Sequence, residues 1–156
     1  MASWQGFEEQ APDLAHAIQA RFAAHRHALL ATLRRDGSPR LSGLETSFRD
    51  GELWLAMMPD ARKAADLRRD ARFSLHSAPD VEMVDGDAKV NGRVVEVTDP
   101  ATIAGFTGEL SQAPPPSGVG LFRADLTDAS LTRVEGEWLV IDSWRDGEPP
   151  RRQRRQ

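Results

Sequence analysis

Residues 56–70 read AMMPDARKAADLRRD and mark the point where a strand gives way to a helix. An apolar run ends here, Pro59 breaks the chain, and a segment with helical spacing of its apolar residues follows. The pattern predicts a helix over about 60–69, directly after a strand. This strand–turn–helix unit is the part of the sequence that most constrains the fold.

The first turn of the predicted helix carries two adjacent cations, Arg62 and Lys63. The N-terminus of a helix already bears partial positive charge, so cations are unfavourable there. One explanation is a solvated helix face, in which Asp60 caps the helix and Asp66 pairs with Arg62. The other is an anion site, because free amides at a helix start bind phosphate and neighbouring cations strengthen the binding.

Short apolar runs separated by turn dipeptides surround this unit. Asp36-Gly37 and Asp50-Gly51 are turn signals that join the first three runs into an antiparallel meander. The predicted strands are 28–33, 40–48, 52–57, 72–78, 89–97, 120–126, 129–134 and 138–144. A further helix is predicted near 12–24, and Gly92 is expected to mark a bulge or a close approach. We therefore predict an α+β protein, mainly β, with an antiparallel barrel of six or seven strands and flanking helices.

The totals favour a single domain at residues 1–145. A chain of 156 residues suits one hydrophobic core, and no apolar run is long enough to span a membrane. No secretory signal is visible. The chain has no cysteine, which excludes disulfides, thiolate metal ligands and cysteine nucleophiles. We expect a cytoplasmic protein that does not bind membranes.

The charge is distributed unevenly along the chain. The net charge is −4, but the last six residues hold four arginines and no acid, so residues 1–150 carry −8. An acidic body argues against nucleic-acid binding, which requires a basic face. Residues 146–156 are expected to form a basic, disordered tail.

No catalytic or metal-binding constellation is present in the sequence. His25 and His27 are too few to hold a metal, and no acid has metal-ligand spacing to them. A phosphate-binding loop, a dinucleotide-binding glycine pattern and a nucleophile elbow are all missing. We therefore predict no metal site and no catalytic side chain.

Three segments, in order, carry a resemblance to a known family: ALLATLRRDGSPRLSG, DGELWLAMMPDARKAADLRRDARFSLHSA and KVNGRVVEV. They resemble the flavin-binding split-barrel proteins of the pyridoxamine 5′-phosphate oxidase superfamily. The likeness is strongest to an actinobacterial branch in which many members use the deazaflavin coenzyme F420. A weaker likeness in RVEGEWLVIDSW extends it towards the C-terminus. The resemblance implies a split β-barrel, a homodimer and a cofactor groove between the protomers.

The resemblance also implies which residues bind the cofactor. Arg62 and Lys63 match the last two positions of the family's Ser-Arg-Lys motif, which holds the cofactor phosphate, while Ala61 replaces the serine. Lys89 lies on a strand that faces either the same groove or solvent. The remaining cofactor-binding residues, from the second and third strands, are Arg40, Leu41, Ser42, Ala56 and Met57.

Two departures from the family pattern narrow the expected function. Glu45 stands where pyridoxamine phosphate oxidases have a lysine, and the Arg-x-His motif that holds their substrate phosphate is missing, so we do not expect vitamin B6 oxidation. The expected activity is hydride transfer between FMN or F420 and an unknown small molecule, since the cofactor carries that chemistry. The alternatives are a non-catalytic module that stores flavin or haem, and a plain structural domain.

Overall fold

The structure, a computed structural model, describes all 156 residues. It contains four α-helices and nine β-strands. In chain order they are α1 (Trp4–Gln10), α2 (Pro12–Ala23), β1 (Ala28–Leu33), β2 (Pro39–Leu44), β3 (Thr46–Arg49), β4 (Glu52–Met57), α3 (Arg62–Arg69), β5 (Arg72–His76), β6 (Asp87–Val97), α4 (Pro100–Gly108), β7 (Gly120–Glu135), β8 (Trp138–Arg145) and β9 (Arg151–Arg155). None of the helices is long and apolar enough to cross a membrane.

Seven strands form an antiparallel sheet that closes on itself. Their order is β2-β1-β5-β6-β7-β4-β3. Only Glu45 separates β2 from β3 in the chain, so the two ends of this order are joined covalently. The predicted α+β class, a mainly antiparallel barrel with flanking helices, is confirmed.

The long strand β7 is where the barrel splits. One edge of β7 pairs with β6 over almost its whole length. Its other edge pairs with β4 through residues 120–124 and with β8 through residues 128–135. Strands β8 and β9 therefore extend the sheet away from the closed barrel.

Alternating burial fills the barrel with apolar side chains. In β4, residues 53, 55 and 57 face inward, and Leu53 and Leu55 are fully buried. Burial of a leucine side chain contributes about 1.5 to 3 kcal/mol. Helix α3 packs Ala64 and Leu67 into the same core beside β1. The barrel and α3 are thus one packed unit, which holds the start of α3 in place.

Helix α1 was not predicted from the sequence. The Ser3 side chain caps it by accepting the Gly6 N–H at 3.0 Å, and Trp4 and Phe7 bury one short face. The Phe7 ring packs on Trp144, with centroids 4.4 Å apart. Two apolar residues are too few to give a helical period, so only the tertiary contacts reveal this helix.

Three predicted strands are divided or joined differently in the structure. The predicted strand 40–48 is divided at Glu45, because β2 pairs with β1 whereas β3 pairs with β4. The predicted strands 120–126 and 129–134 are one continuous strand, β7. The expected irregularity at Gly92 is confirmed, since the register shifts there and a Cβ would lie 2.0 Å from the Asp125 carbonyl oxygen.

The expectation of a disordered C-terminal tail is wrong. Residues 151–155 form β9, which pairs with β8 in antiparallel register. Arg152 donates to both carboxylate oxygens of Asp142, at 2.6 and 3.0 Å. Composition alone suggested a solvated tail. It does not show that Asp142 of the neighbouring strand β8 pairs with Arg152.

Candidate functional site

The start of α3 offers two unpaired backbone N–H groups. Strand β4 ends at Met57 and the chain turns so that the Ala61 N–H bonds the Met58 carbonyl at 3.0 Å. The Ala61 carbonyl accepts the first intrahelical bonds, while the N–H groups of Arg62 and Lys63 donate to no protein group. Free N–H groups at the positive end of a helix attract an anion.

No side chain caps this helix. The N-cap residue is Ala61, in extended conformation, and α3 begins at Arg62. The predicted cap by Asp60 is therefore wrong, because Asp60 lies one residue too early. An uncapped start leaves room for an external acceptor.

The two cations at this helix start have different surroundings. The Arg62 guanidinium is exposed and forms no ion pair or hydrogen bond within the chain. The Lys63 ammonium donates to the Gly43 carbonyl oxygen at 2.7 Å, and partial burial lowers the pKa of Lys63. Arg62 is thus available for a ligand, and Lys63 ties α3 to β2 at the same place.

A buried carboxylate joins the middle of α3 to β1 and β2. Asp66 is 3% exposed and accepts from Thr32 Oγ1 at 2.9 Å, Arg40 Nε at 2.6 Å and Arg69 Nη2 at 3.1 Å. Burial acts to raise the pKa of Asp66, but the bonds from Arg40, Thr32 and Arg69 outweigh it and lower that pKa. The expected pair between Asp66 and Arg62 is wrong, since Asp66 faces the barrel.

The predicted residues of β2 lie on two faces. Arg40 and Ser42 lie opposite buried residues of β1 and face the barrel interior. Leu41 points to the outer face and is 71% exposed. Arg40 therefore belongs to the seam between β2 and α3, whereas Leu41 contributes apolar surface outside the barrel.

The residues predicted at the end of β4 are also separated by strand alternation. Ala56 is half-buried on the outer face, and Met57 is in the core at 8% exposure. The Met57 side chain therefore does not line a surface groove. Its backbone still leads directly into the turn before α3.

Lys89 lies apart from the start of α3. It is exposed on β6, in a cross-strand row with Gly43, Leu29 and His76. Three strand spacings separate Lys89 from Gly43, which is about 14 Å along the sheet. Within one protomer, Lys89 does not reach a phosphate held by Arg62 and Lys63.

The cofactor-binding roles of all these residues stay predictions. The structure places Arg62 and Lys63 together at the start of α3, and Arg40 farther along the seam, on Asp66. The sequence assigned Asp66 to Arg62 and did not reveal its bonds to Arg69, Thr32 and Arg40, of which the last two join residues remote in the chain. No three histidine, cysteine, aspartate or glutamate side chains are grouped as metal ligands would be.

The chain is a split β-barrel protein. Its defining features are the strand order, the sharing of β7 between β4 and β8, and a helix that starts beside the end of β4. The family model described as pyridoxamine 5′-phosphate oxidase matches residues 14–133. The chain therefore belongs to that family, a flavin oxidoreductase family, as the resemblance predicted. No curated protein matches the chain significantly.

Solved structures share this fold at low sequence identity. A pyridoxamine 5′-phosphate oxidase-related, FMN-binding protein from Nostoc punctiforme is 14% identical, with TM-score 0.69, over 94% of this chain and 96% of its own. PhzG from Burkholderia lata 383, in complex with tetrahydrophenazine-1-carboxylic acid, is 14% identical, with TM-score 0.60, over 91% and 87%. An F420 reductase is 18% identical, with TM-score 0.52, over 67% and 88%. At these identities the likeness shows the fold alone.

Proposed function

We propose that the protein is an oxidoreductase that binds FMN or the deazaflavin coenzyme F420 with its phosphate at the start of α3. The observation that carries this proposal is the pair of free N–H groups of Arg62 and Lys63 beside the unpaired Arg62 guanidinium. A phosphate would accept from all three and relieve the unfavourable contact between two cations and the helix dipole. Membership of the family and the names of its FMN-binding and F420 reductase neighbours support a flavin-type cofactor.

The residues present fit a phosphate. Ala61 offers no hydroxyl, but it leaves the helix start uncapped and both cations in place. Glu45, which would repel a phosphate, is paired with Arg26 Nε at 2.6 Å and is 54% exposed. Its charge is therefore partly neutralised and screened by solvent.

A bound flavin or deazaflavin would supply hydride transfer, and the chain would bind and orient it. Arg62 and Lys63 would anchor the phosphate end. Asp66 binds Arg40 farther along the seam, which fixes β2 against α3. If the cofactor carries the hydride-transfer chemistry, the chain itself needs no catalytic side chain.

We also propose that two protomers assemble around the cofactor groove. Leu41 and Leu29 lie on neighbouring strands of the outer face and are 71% and 39% exposed. Burial of such exposed leucines against a partner would be favourable. We propose as well that the substrate is a small molecule, still unknown, and that the protein is located in the cytoplasm.

A non-catalytic module that stores a flavin or haem is the second candidate. Its support is the end of β4, where Met57 is buried and Ala56 carries no polar group, so few side-chain hydrogen bonds can reach a ring there. Such a module would bind cofactor without turning it over.

Paired titrations with FMN, F420 and haem test the proposal. We expect FMN or F420 to bind at one per chain and to be reduced or oxidised by a small-molecule partner. Binding without any redox turnover would favour the storage module. Absence of binding by both FMN and F420 would contradict the proposed function.

A further inference from the structure

A cavity of about 540 Å³ lies between α2 and the strands that extend the sheet beyond the barrel. Its lining residues come from α2, the loop before β6, strands β7 and β8, and residues 150–152. None of them belongs to α3, β2 or β4, the elements of the proposed cofactor site. Small molecules bind in cavities of roughly 300 to 1,000 Å³, so this one is large enough for a ligand of its own.

Part of the cavity wall is apolar. Leu14 of α2 and Leu131 of β7 are 8% and 4% exposed, and Ala17 packs against the same core. Val84, from the loop before β6, is 67% exposed at this wall. A ligand that covers Val84 and the two leucines would remove apolar surface from water. The wall therefore favours a ligand with an apolar body.

The arginines of the cavity already have acidic partners. Asp142 accepts from Arg133 Nη1 at 2.7 Å and from Arg152 Nε and Nη2 at 2.6 and 3.0 Å. Arg151 pairs with Glu148 at 2.9 Å. The positive charges on the strand side of the cavity are thus matched within the chain.

Two carboxylates on the opposite side are not matched. Asp13, in the first turn of α2, is exposed and has no hydrogen-bond donor or ion-pair partner in the chain. Asp85 lies 3.7 Å from Arg21 Nη1, which is too long for a hydrogen bond. The Nε of Arg21 instead donates to the Gly86 carbonyl at 2.7 Å. The unmatched charges of the cavity are therefore both negative.

We propose that this cavity binds an organic cation, with an ammonium or guanidinium group on an apolar body. The cationic group would donate to the Asp13 and Asp85 carboxylates, and the apolar body would lie on Leu14 and Leu131. A neutral ligand of the same shape lacks the ionic contact, and an anionic one would be repelled by both acids. The inference goes beyond the proposed function, because neither the ligand nor the site is that of the cofactor.

Three probes of similar shape and different charge test the ligand class: phenethylamine, phenethyl alcohol and phenylacetate. We expect the amine to bind with a dissociation constant of about 1 mM or below. It should bind at least about tenfold more tightly than the alcohol, because its hydrogen bonds are charge-assisted, and phenylacetate should bind most weakly.

Methyl ¹H–¹³C NMR of the full chain measures these affinities and locates the ligand. The amine should shift the methyl signals of Leu14, Val84 and Leu131. An amine that binds no more tightly than the alcohol, or that leaves these three signals unmoved, would overturn the proposal.

A charge variant tests the two acids. Asp13→Asn/Asp85→Asn keeps the size of both side chains, and we expect it to lower the affinity for the amine to that for the alcohol. The matched control is Asp60→Asn/Glu137→Gln, which changes two exposed acids without ion pairs and shifts the net charge equally. This control should bind the amine as the unaltered protein does. Equal losses in both variants would mean that net charge alone acts, which contradicts the site.

A second variant tests the cavity itself. Ala17→Leu places a larger apolar side chain in the wall, so it should weaken the amine and the alcohol together. Circular dichroism should show an unchanged helix content, since leucine is a good helix former. Unchanged affinity for the amine in this folded variant would place the ligand outside the cavity and overturn the proposal.

Titrations in the presence of saturating FMN or F420 separate this site from the proposed function. We expect the affinity for the amine to be unchanged, and Asp13→Asn/Asp85→Asn to bind cofactor normally. Competition between amine and cofactor would overturn a separate cation site and leave the proposed function standing. Binding of the amine by a chain that binds neither cofactor would support the cation site while the proposed function fails.

Discussion

Two arginine-rich regions of this molecule differ in how their charges are matched. On β9, Arg151, Arg152 and Arg154 each pair with an acid of the chain. At the start of α3, Arg62 has no partner and lies beside two free N–H groups. β9 has more basic residues, and among them only Arg155 is without an acidic partner, whereas at α3 an unpaired guanidinium and free amides lie together. A candidate anion site is therefore marked by donors without partners rather than by charge density.

The buried acid of the α3 region provides the largest test of this difference. Asp66→Ala removes the acceptor of three donors and leaves Arg40 without its partner. We expect a loss of about 3 to 5 kcal/mol in the free energy of unfolding, measured with urea. Asp142→Ala, the matched change beside β9, should cost only about 1 kcal/mol because the Asp142 side chain is 16% exposed, against 4% for Asp66. Equal losses would contradict the distinction between the two regions.

Removal of the two cations at the start of α3 tests whether the unpaired donors there bind the cofactor. Arg62→Ala/Lys63→Ala should weaken cofactor affinity at least about a hundredfold, since charge-assisted bonds to phosphate are lost. Isothermal titration would measure the loss, and circular dichroism should show an unchanged fold. Under the same conditions Arg145→Ala/Arg155→Ala should bind as the unaltered protein does. Unchanged affinity in the α3 variant would contradict the assignment.

Acid should remove the contribution of Asp66 to stability. The pKa of Asp66 is lower in the folded protein than its usual value of 3.8. Its stabilising effect is therefore complete above about pH 4 and is lost as the pH falls through the lowered folded pKa. The difference in unfolding free energy between the protein and Asp66→Asn should narrow below that pH. A difference that stays constant from neutral to acidic pH would argue against an ionised Asp66.

Deletion of β9 should have the smallest effect. Loss of residues 151–156 removes edge-strand pairing and exposed ion pairs, so thermal unfolding should shift by about 2 to 4 °C. Cofactor affinity should stay the same, because β9 pairs only with β8 and forms no ion pair with α3. A loss of affinity comparable to that of the α3 variant would show that β9 takes part in the site.

Local sequence signals predicted most of the barrel. Alternation and turn dipeptides gave the strands around Asp36-Gly37 and Asp50-Gly51, and the Pro59 break gave α3 to within two residues. Two features were missed because long-range contacts decide them. Helix α1 depends on Trp144 at the other end of the chain, and β9 depends on the acids of β8 and β7.

The site was predictable only in part, for the same reason. The adjacent cations Arg62 and Lys63 stood out through their conflict with the helix dipole. The partners of Asp66 did not, because Thr32 and Arg40 lie 34 and 26 residues away. The inward position of Met57 follows from the register of β4 with β7, which single-sequence reasoning does not resolve to one residue.

In the proposed function, a cofactor phosphate binds the free amides at the start of α3. Amide ¹H–¹⁵N NMR during titration with FMN or F420 measures this most directly. We expect the largest downfield proton shifts at Arg62 and Lys63, with the β9 amides unmoved. Saturable binding that leaves the Arg62 and Lys63 amides unshifted would contradict it.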